Sequence, residues 1–84
     1  MPTIWQSQRM PKRDPLLVKL GRSLRRHRDA AGISQEKLAE LADINRTYVS
    51  DIERGNRNPG IKNLARLAKA LGITTAELCE GVDL

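Results

Sequence analysis

Phenylalanine is absent from these 84 residues, and Trp5 and Tyr48 are the only members of the Phe/Trp/Tyr class. Two such rings offer no stacking platform for unpaired bases, which argues against a single-stranded RNA module. Histidine and cysteine occur once each, as His27 and Cys79. No internal disulfide can form, and no Cys/His set has the spacing of a zinc site. The carboxylates are scattered and no Gly-rich loop is placed to cradle a phosphate, so no nucleophile and base come together. An enzyme is not expected, nor a cofactor, a metal or a small-molecule ligand. No apolar run approaches the roughly 18 residues of a membrane span. Residues 1–15 lack the apolar stretch of a secretory signal, so the expected location is the cytoplasm.

What the chain has is positive charge in one place. Fifteen Lys and Arg face ten Asp and Glu. Residues 1–29 hold eight of the bases (Arg9, Lys12, Arg13, Lys19, Arg22, Arg25, Arg26, Arg28) and two of the acids (Asp14, Asp29), whereas the remainder is nearly balanced. A basic N-terminal third suits a polyanionic partner, although a solvated helix face would carry the same charges.

The length allows one domain. Residues 1–14, with Pro2, Pro11 and no apolar period, are expected to be a flexible basic arm, and residues 15–84 the folded domain. Asp14-Pro15 has the chemistry of a helix start, with Asp14 as N-cap and Pro15 in the first turn. Leu17, Leu20, Leu24 and Ala31 then recur at helical spacing up to Gly32. Ser34 caps a second, short helix with Leu38, Ala39, Leu41 and Ala42. After a tight turn at Asp43-Ile44, Asn45 caps a third helix that ends at Arg54-Gly55-Asn56. A polar loop over residues 55–60 precedes a fourth helix from Ile61 to Leu71. Thr74 and Glu77 form a capping box for a last turn. No segment alternates as a strand does, so the fold class is all-α, with five short helices.

Two short helices joined by so tight a turn make a helix-turn-helix. At about 100° per residue, Val49, Ile52, Tyr48 and Glu53 fall on one side of the third helix. Arg46, Thr47, Ser50, Asp51 and Arg54 fall on the other. That second arc is polar and unsuited to a core. A helix of this kind fits the major groove, where Arg pairs with guanine and Thr touches the thymine methyl group. Double-stranded DNA is therefore the expected partner, read by a helix from Asn45 to Arg54, and the nucleoid the expected place.

The run Ser34-Gln35-Glu36-Lys37-Leu38-Ala39, followed by Asn45-Arg46-Thr47-Tyr48-Val49-Ser50-Asp51-Ile52-Glu53-Arg54-Gly55, resembles the Cro/phage-repressor (XRE-type) family. Arg46-Thr47-Tyr48, Ile52-Glu53-Arg54 and Arg57-Asn58 are most similar to the controller proteins of restriction–modification systems. The resemblance spans residues 16–80. It implies a lambda-repressor-like domain in which Gln35 clamps a phosphate at the start of the second helix. Arg54, Asn56, Arg57 and Asn58 would then contact the DNA backbone or a neighbouring base; by its position nearer the strands, Tyr48 is a further candidate for a phosphate. It also implies a structural salt bridge between Arg28 and Glu53, two charges that the helical angles put on core-facing sides. His27 is expected to be a partly buried core residue.

The apolar arc of the fourth helix is about 160° wide, where a core stripe needs about 100°. The excess suggests a homodimer seam through Ile61, Leu64, Leu67, Leu78 and Val82; a helix buried within one domain would show the same arc. A protein-interaction domain of the same fold, such as an antitoxin, is the rival function, with its essential contacts on the last two helices.

Overall fold

A computed structural model describes residues 13–84, so the expected arm lies outside the described residues except for Arg13 and Asp14. Among the described residues there are five helices and no strand: α1 Pro15–Ala31, α2 Gln35–Ala42, α3 Arg46–Glu53, α4 Gly60–Leu71 and α5 Thr75–Leu78. None is long and apolar enough to cross a membrane.

The starts are set by local chemistry. The side chains of Asp14, Ser34 and Asn45 accept hydrogen bonds from the backbone N–H groups of Leu16 (2.9 Å), Lys37 (3.0 Å) and Thr47 (2.7 Å). Each satisfies a donor that the first turn of a helix leaves without a partner. Thr74 and Glu77 close a reciprocal capping box on α5. Backbone bonds to Thr74 hold the Glu77 carboxyl below its ordinary range. The α2–α3 turn is made by Asp43, which adopts left-handed backbone at φ 57°. Aspartate tolerates that region better than most residues. Its N–H and that of Ile44 bond back to the carbonyls of Glu40 and Ala39, so the chain reverses within three residues.

The core is formed by Leu20 and Leu24 of α1, Leu38, Ala39 and Ala42 of α2, Val49 and Ile52 of α3, Leu67 and Ala68 of α4, and Leu78 of α5. Two residues expected at a dimer seam are thereby corrected: Leu67 and Leu78 are fully buried within the domain. The wide arc of α4 has an intramolecular cause, because α4 packs against α2, α5 and α1 together. Leu64 and Val82 are half-buried against the same core, and Ile61 is 69% exposed. Ser23, also buried, donates to the Leu78 carbonyl at 2.5 Å and ties α1 to the end of the chain.

At Gly21, α1 passes close against the backbone at the end of α3. A Cβ on Gly21 would stand 2.6 Å from the Glu53 carbonyl oxygen and closer still to that of Ile52. Both obstacles are backbone, which cannot swing aside as a side chain does. Gly→Ala inside a helix normally stabilises by about 1 kcal/mol. Gly21→Ala is expected to do the opposite, losing roughly 1–3 kcal/mol by urea denaturation, as overpacked cores do. A midpoint equal to or above that of the wild type would mean that α1 and α3 are not in this contact.

Candidate nucleic-acid interface

α3 has eight residues, too few for a stable helix in isolation. Its inner face is fixed by Val49 and Ile52 in the core and, at its last turn, by a charge. The Arg28 guanidinium donates to both Glu53 oxygens, from Nε at 2.6 Å and from Nη2 at 3.0 Å. Its Nη1 donates to the Ile33 carbonyl at 2.9 Å. The Gln35 amide adds a third hydrogen bond to Glu53 at 3.0 Å. Side-chain exposure is 12% for Arg28 and 4% for Glu53. The hydrogen bonds to Glu53 raise the Arg28 pKa above its already high value, so the guanidinium stays charged. One network thus joins α1, the α1–α2 turn, α2 and α3.

The outer face is different. Arg46 and Thr47 are exposed, Ser50 is half-buried, and among the described residues their side chains hold no partner. Asn45 uses its side-chain oxygen as the cap and leaves its amide nitrogen open. Asp51 and Arg54 are bound to each other at 2.6 Å, three residues apart along the helix.

Two side chains expected at phosphates also hold contacts within the protein. The Tyr48 hydroxyl donates to the Pro59 carbonyl at 3.2 Å and accepts from the Asn63 amide at 3.0 Å. Through these two bonds Tyr48 fastens the loop over residues 55–60 to α3. Asn63 also donates to Pro59 at 3.2 Å, and the Arg57 guanidinium lies 4.7 Å from the centre of the Tyr48 ring. A cation over a ring face is held there electrostatically. Gln35, likewise, turns its side chain inward to Glu53. Its position at the start of α2 still leaves backbone N–H groups facing outward, a setting that favours an anion.

The loop itself is anchored where Gly55, buried at φ 76°, passes over α1. A Cβ at that position would meet the Val18 side chain at 2.9 Å. Asn58 accepts from the Gly60 N–H at 3.3 Å, and Asn56 and Arg57 are exposed. Asn63 and Gly21 carry no motif signal, and Gly55 shows in the sequence only as part of a helix end and of the family pattern. Asn63 sits within α4, whose sequence signal is its apolar arc.

The pattern of the helix-turn-helix family matches residues 24–78. Control protein C.BamHI of Bacillus amyloliquefaciens is 48% identical over 50 residues, covering 60% of this chain and 62% of that protein. Control protein C.MunI of Mycoplasma sp is 37% identical over 67 residues, 79% of this chain and 90% of that protein. The matched region is thus less than two thirds of C.BamHI but most of C.MunI. The crystal structure of the restriction-modification controller protein C.AhdI from Aeromonas hydrophila superposes with a TM-score of 0.73 at 50% identity. That superposition covers 74% of this chain and 94% of C.AhdI.

The ion pair is a point at which this arrangement can be broken. Removing one partner of a buried pair leaves the other charge uncompensated, at a cost of about 3–5 kcal/mol. Arg28→Met and Glu53→Gln are each expected to lose that much in urea melts. Arg28→Met/Glu53→Met removes both charges and should lose clearly less than the two single losses combined. Wild-type midpoints for both single variants would show the pair to be a surface contact.

Proposed function

The chain belongs to the helix-turn-helix family, and on that premise we propose that it is a sequence-specific DNA-binding transcriptional regulator of the restriction–modification controller kind. The observation that carries this reading is the two-sidedness of α3. Its inner side is locked by core packing and the Arg28–Glu53 pair, and its outer side presents Arg46, Thr47 and Ser50 with open hydrogen-bonding groups. The major groove, about 12 Å wide, admits such a helix. Arg46 at its N-terminus is the residue for guanine O6 and N7, Thr47 for a thymine methyl group, and Ser50 for a base edge one turn on.

Backbone grip comes from around this helix. The N-terminus of α2 at Gln35, the open amide of Asn45, and Asn56, Arg57 and Asn58 in the following loop supply donors for phosphate oxygens. Arg57 approaches DNA already oriented by the Tyr48 ring. The basic residues of α1 and of residues 1–14 add a long-range attraction that does not depend on sequence. The protein then acts on the nucleoid, in the cytoplasm.

A protomer of this size reads a short half-site, and a symmetric dimer doubles it. The exposed Ile61, with the outer edges of Leu64 and Val82, is the apolar surface that α4 and the C-terminal segment offer to a second copy. Such a dimer binds a pseudo-palindrome whose half-sites lie roughly 34–36 Å apart or at a multiple of that spacing.

Selection from a random DNA pool should return such a pseudo-palindrome. Arg46→Ala is expected to lose about 1–3 kcal/mol on the selected site and to relax preference at one base pair per half-site. Equal weakening on selected and random DNA would reassign Arg46 to the DNA backbone. Sedimentation at tens of micromolar should show a dimer that Ile61→Asp dissociates. A monomer both free and on DNA would overturn the symmetric reading.

A further inference from the structure

The Asp51–Arg54 pair is an unusual thing to find on a face meant for DNA. Asp51 lies at the edge of the outer arc of α3, one turn on from Thr47 and three residues before Arg54, with its side chain 29% exposed. A carboxylate there repels phosphate and the acceptor-rich edges of guanine and thymine. It also draws in the guanidinium of Arg54, which is 57% exposed and stands at the end of α3. Arg54 is therefore neutralised at the moment the protein first meets a duplex. What can satisfy an Asp in the major groove is an exocyclic amino group, cytosine N4 or adenine N6.

We propose that Asp51 is a specificity-determining residue that works chiefly by exclusion. It keeps Arg54 occupied on unrelated DNA and releases it to a phosphate only where a base amino group takes over the carboxylate. Binding the right base and gaining a backbone contact then become one event, so specificity is built from the loss of binding elsewhere as well as from a gain at the site. Arg54, whose position alone suggested a general phosphate grip, becomes a contact conditional on sequence.

This inference rests on the DNA-reading function of α3, and its test separates the two. Filter binding or anisotropy would be measured on the pool-selected duplex and on a random duplex between 50 and 300 mM potassium chloride, as approximate limits. The proteins are the wild type, Asp51→Asn, Arg54→Ala and the double variant. Asp51→Asn keeps size and hydrogen bonding but removes the charge, and an unchanged thermal melt certifies its fold. An exposed pair of this kind holds its partners by about two- to fivefold per protomer. Asp51→Asn is expected to tighten random DNA by at least that factor and to steepen its salt slope by about one per protomer. The ratio of selected to random affinity should fall, and a second selection should lose preference at one base pair per half-site.

Arg54→Ala should weaken selected DNA more than random DNA. In the Arg54→Ala background the effect of Asp51→Asn on the random-DNA salt slope should shrink, because no cation remains to be freed. If the wild type prefers its selected site but Asp51→Asn leaves the affinity ratio unchanged, the exclusion role is wrong while the reading function stands. A wild type with no preference for any duplex removes both.

Discussion

Glu53 is where the fold and the reading surface meet. Its carboxylate is nearly buried and accepts from Arg28 twice and from Gln35 once. Its backbone carbonyl lies directly under Gly21 of α1. The last turn of α3 is thus gripped by side chain and main chain together. Hydrophobic contact from Val49 and Ile52 alone would leave an eight-residue helix free to roll about its axis, since apolar packing is weakly directional. A bidentate Arg–carboxylate pair is directional and sets that angle. Buried ion pairs are a poor source of net stability compared with apolar packing. What this one contributes is orientation, which a helix reading base edges requires.

A second level of restraint continues from the first. Beyond Glu53 the chain has to leave α3 and reach α4 without obstructing the outer face. Gly55 lets it pass against Val18, and the Tyr48 hydroxyl, Pro59 and Asn63 fasten the loop beside the helix. The aromatic ring therefore works from the side of the reading helix rather than from its tip. Its pairing with Arg57 gives a long cation one preferred direction before any DNA is present. Fewer rotamers are then lost on binding, which is how preorganisation contributes to affinity.

How much of this the sequence showed depends on distance along the chain. Asp14, Ser34, Asn45, Thr74 and Glu77 could be recognised as caps because a cap bonds its own neighbours. The core stripe of α1 and the two faces of α3 followed from the helical period. The angles of Arg28 and Glu53 placed both charges inward, and the family resemblance joined them. The ties that the sequence does not display join distant partners. Gln35 meets Glu53 across 18 residues and Tyr48 meets Asn63 across 15, so neither tie can be read from spacing. Leu67 and Leu78 were misplaced for a related reason. An apolar arc measures how much of a helix avoids water, and a second chain and the rest of the same chain avoid water equally well.

Charge distribution completes the division of labour. In α3 and its cap, Arg28 answers Glu53 and Asp51 answers Arg54, leaving Arg46 as the cation without a partner among the described residues. The surplus positive charge of the chain lies instead in residues 1–29, among them the exposed Lys19, Arg22, Arg25 and Arg26 of α1. Attraction from those groups falls off over about 8–10 Å at ordinary salt and is indifferent to sequence. Contacts by the nearly neutral α3 act only at hydrogen-bonding distance, where base identity is expressed. Had the surplus been placed on α3, each added cation would have strengthened wrong and right sites alike. Keeping the reading helix close to neutral lets its donors and acceptors, rather than its charge, decide where it stays.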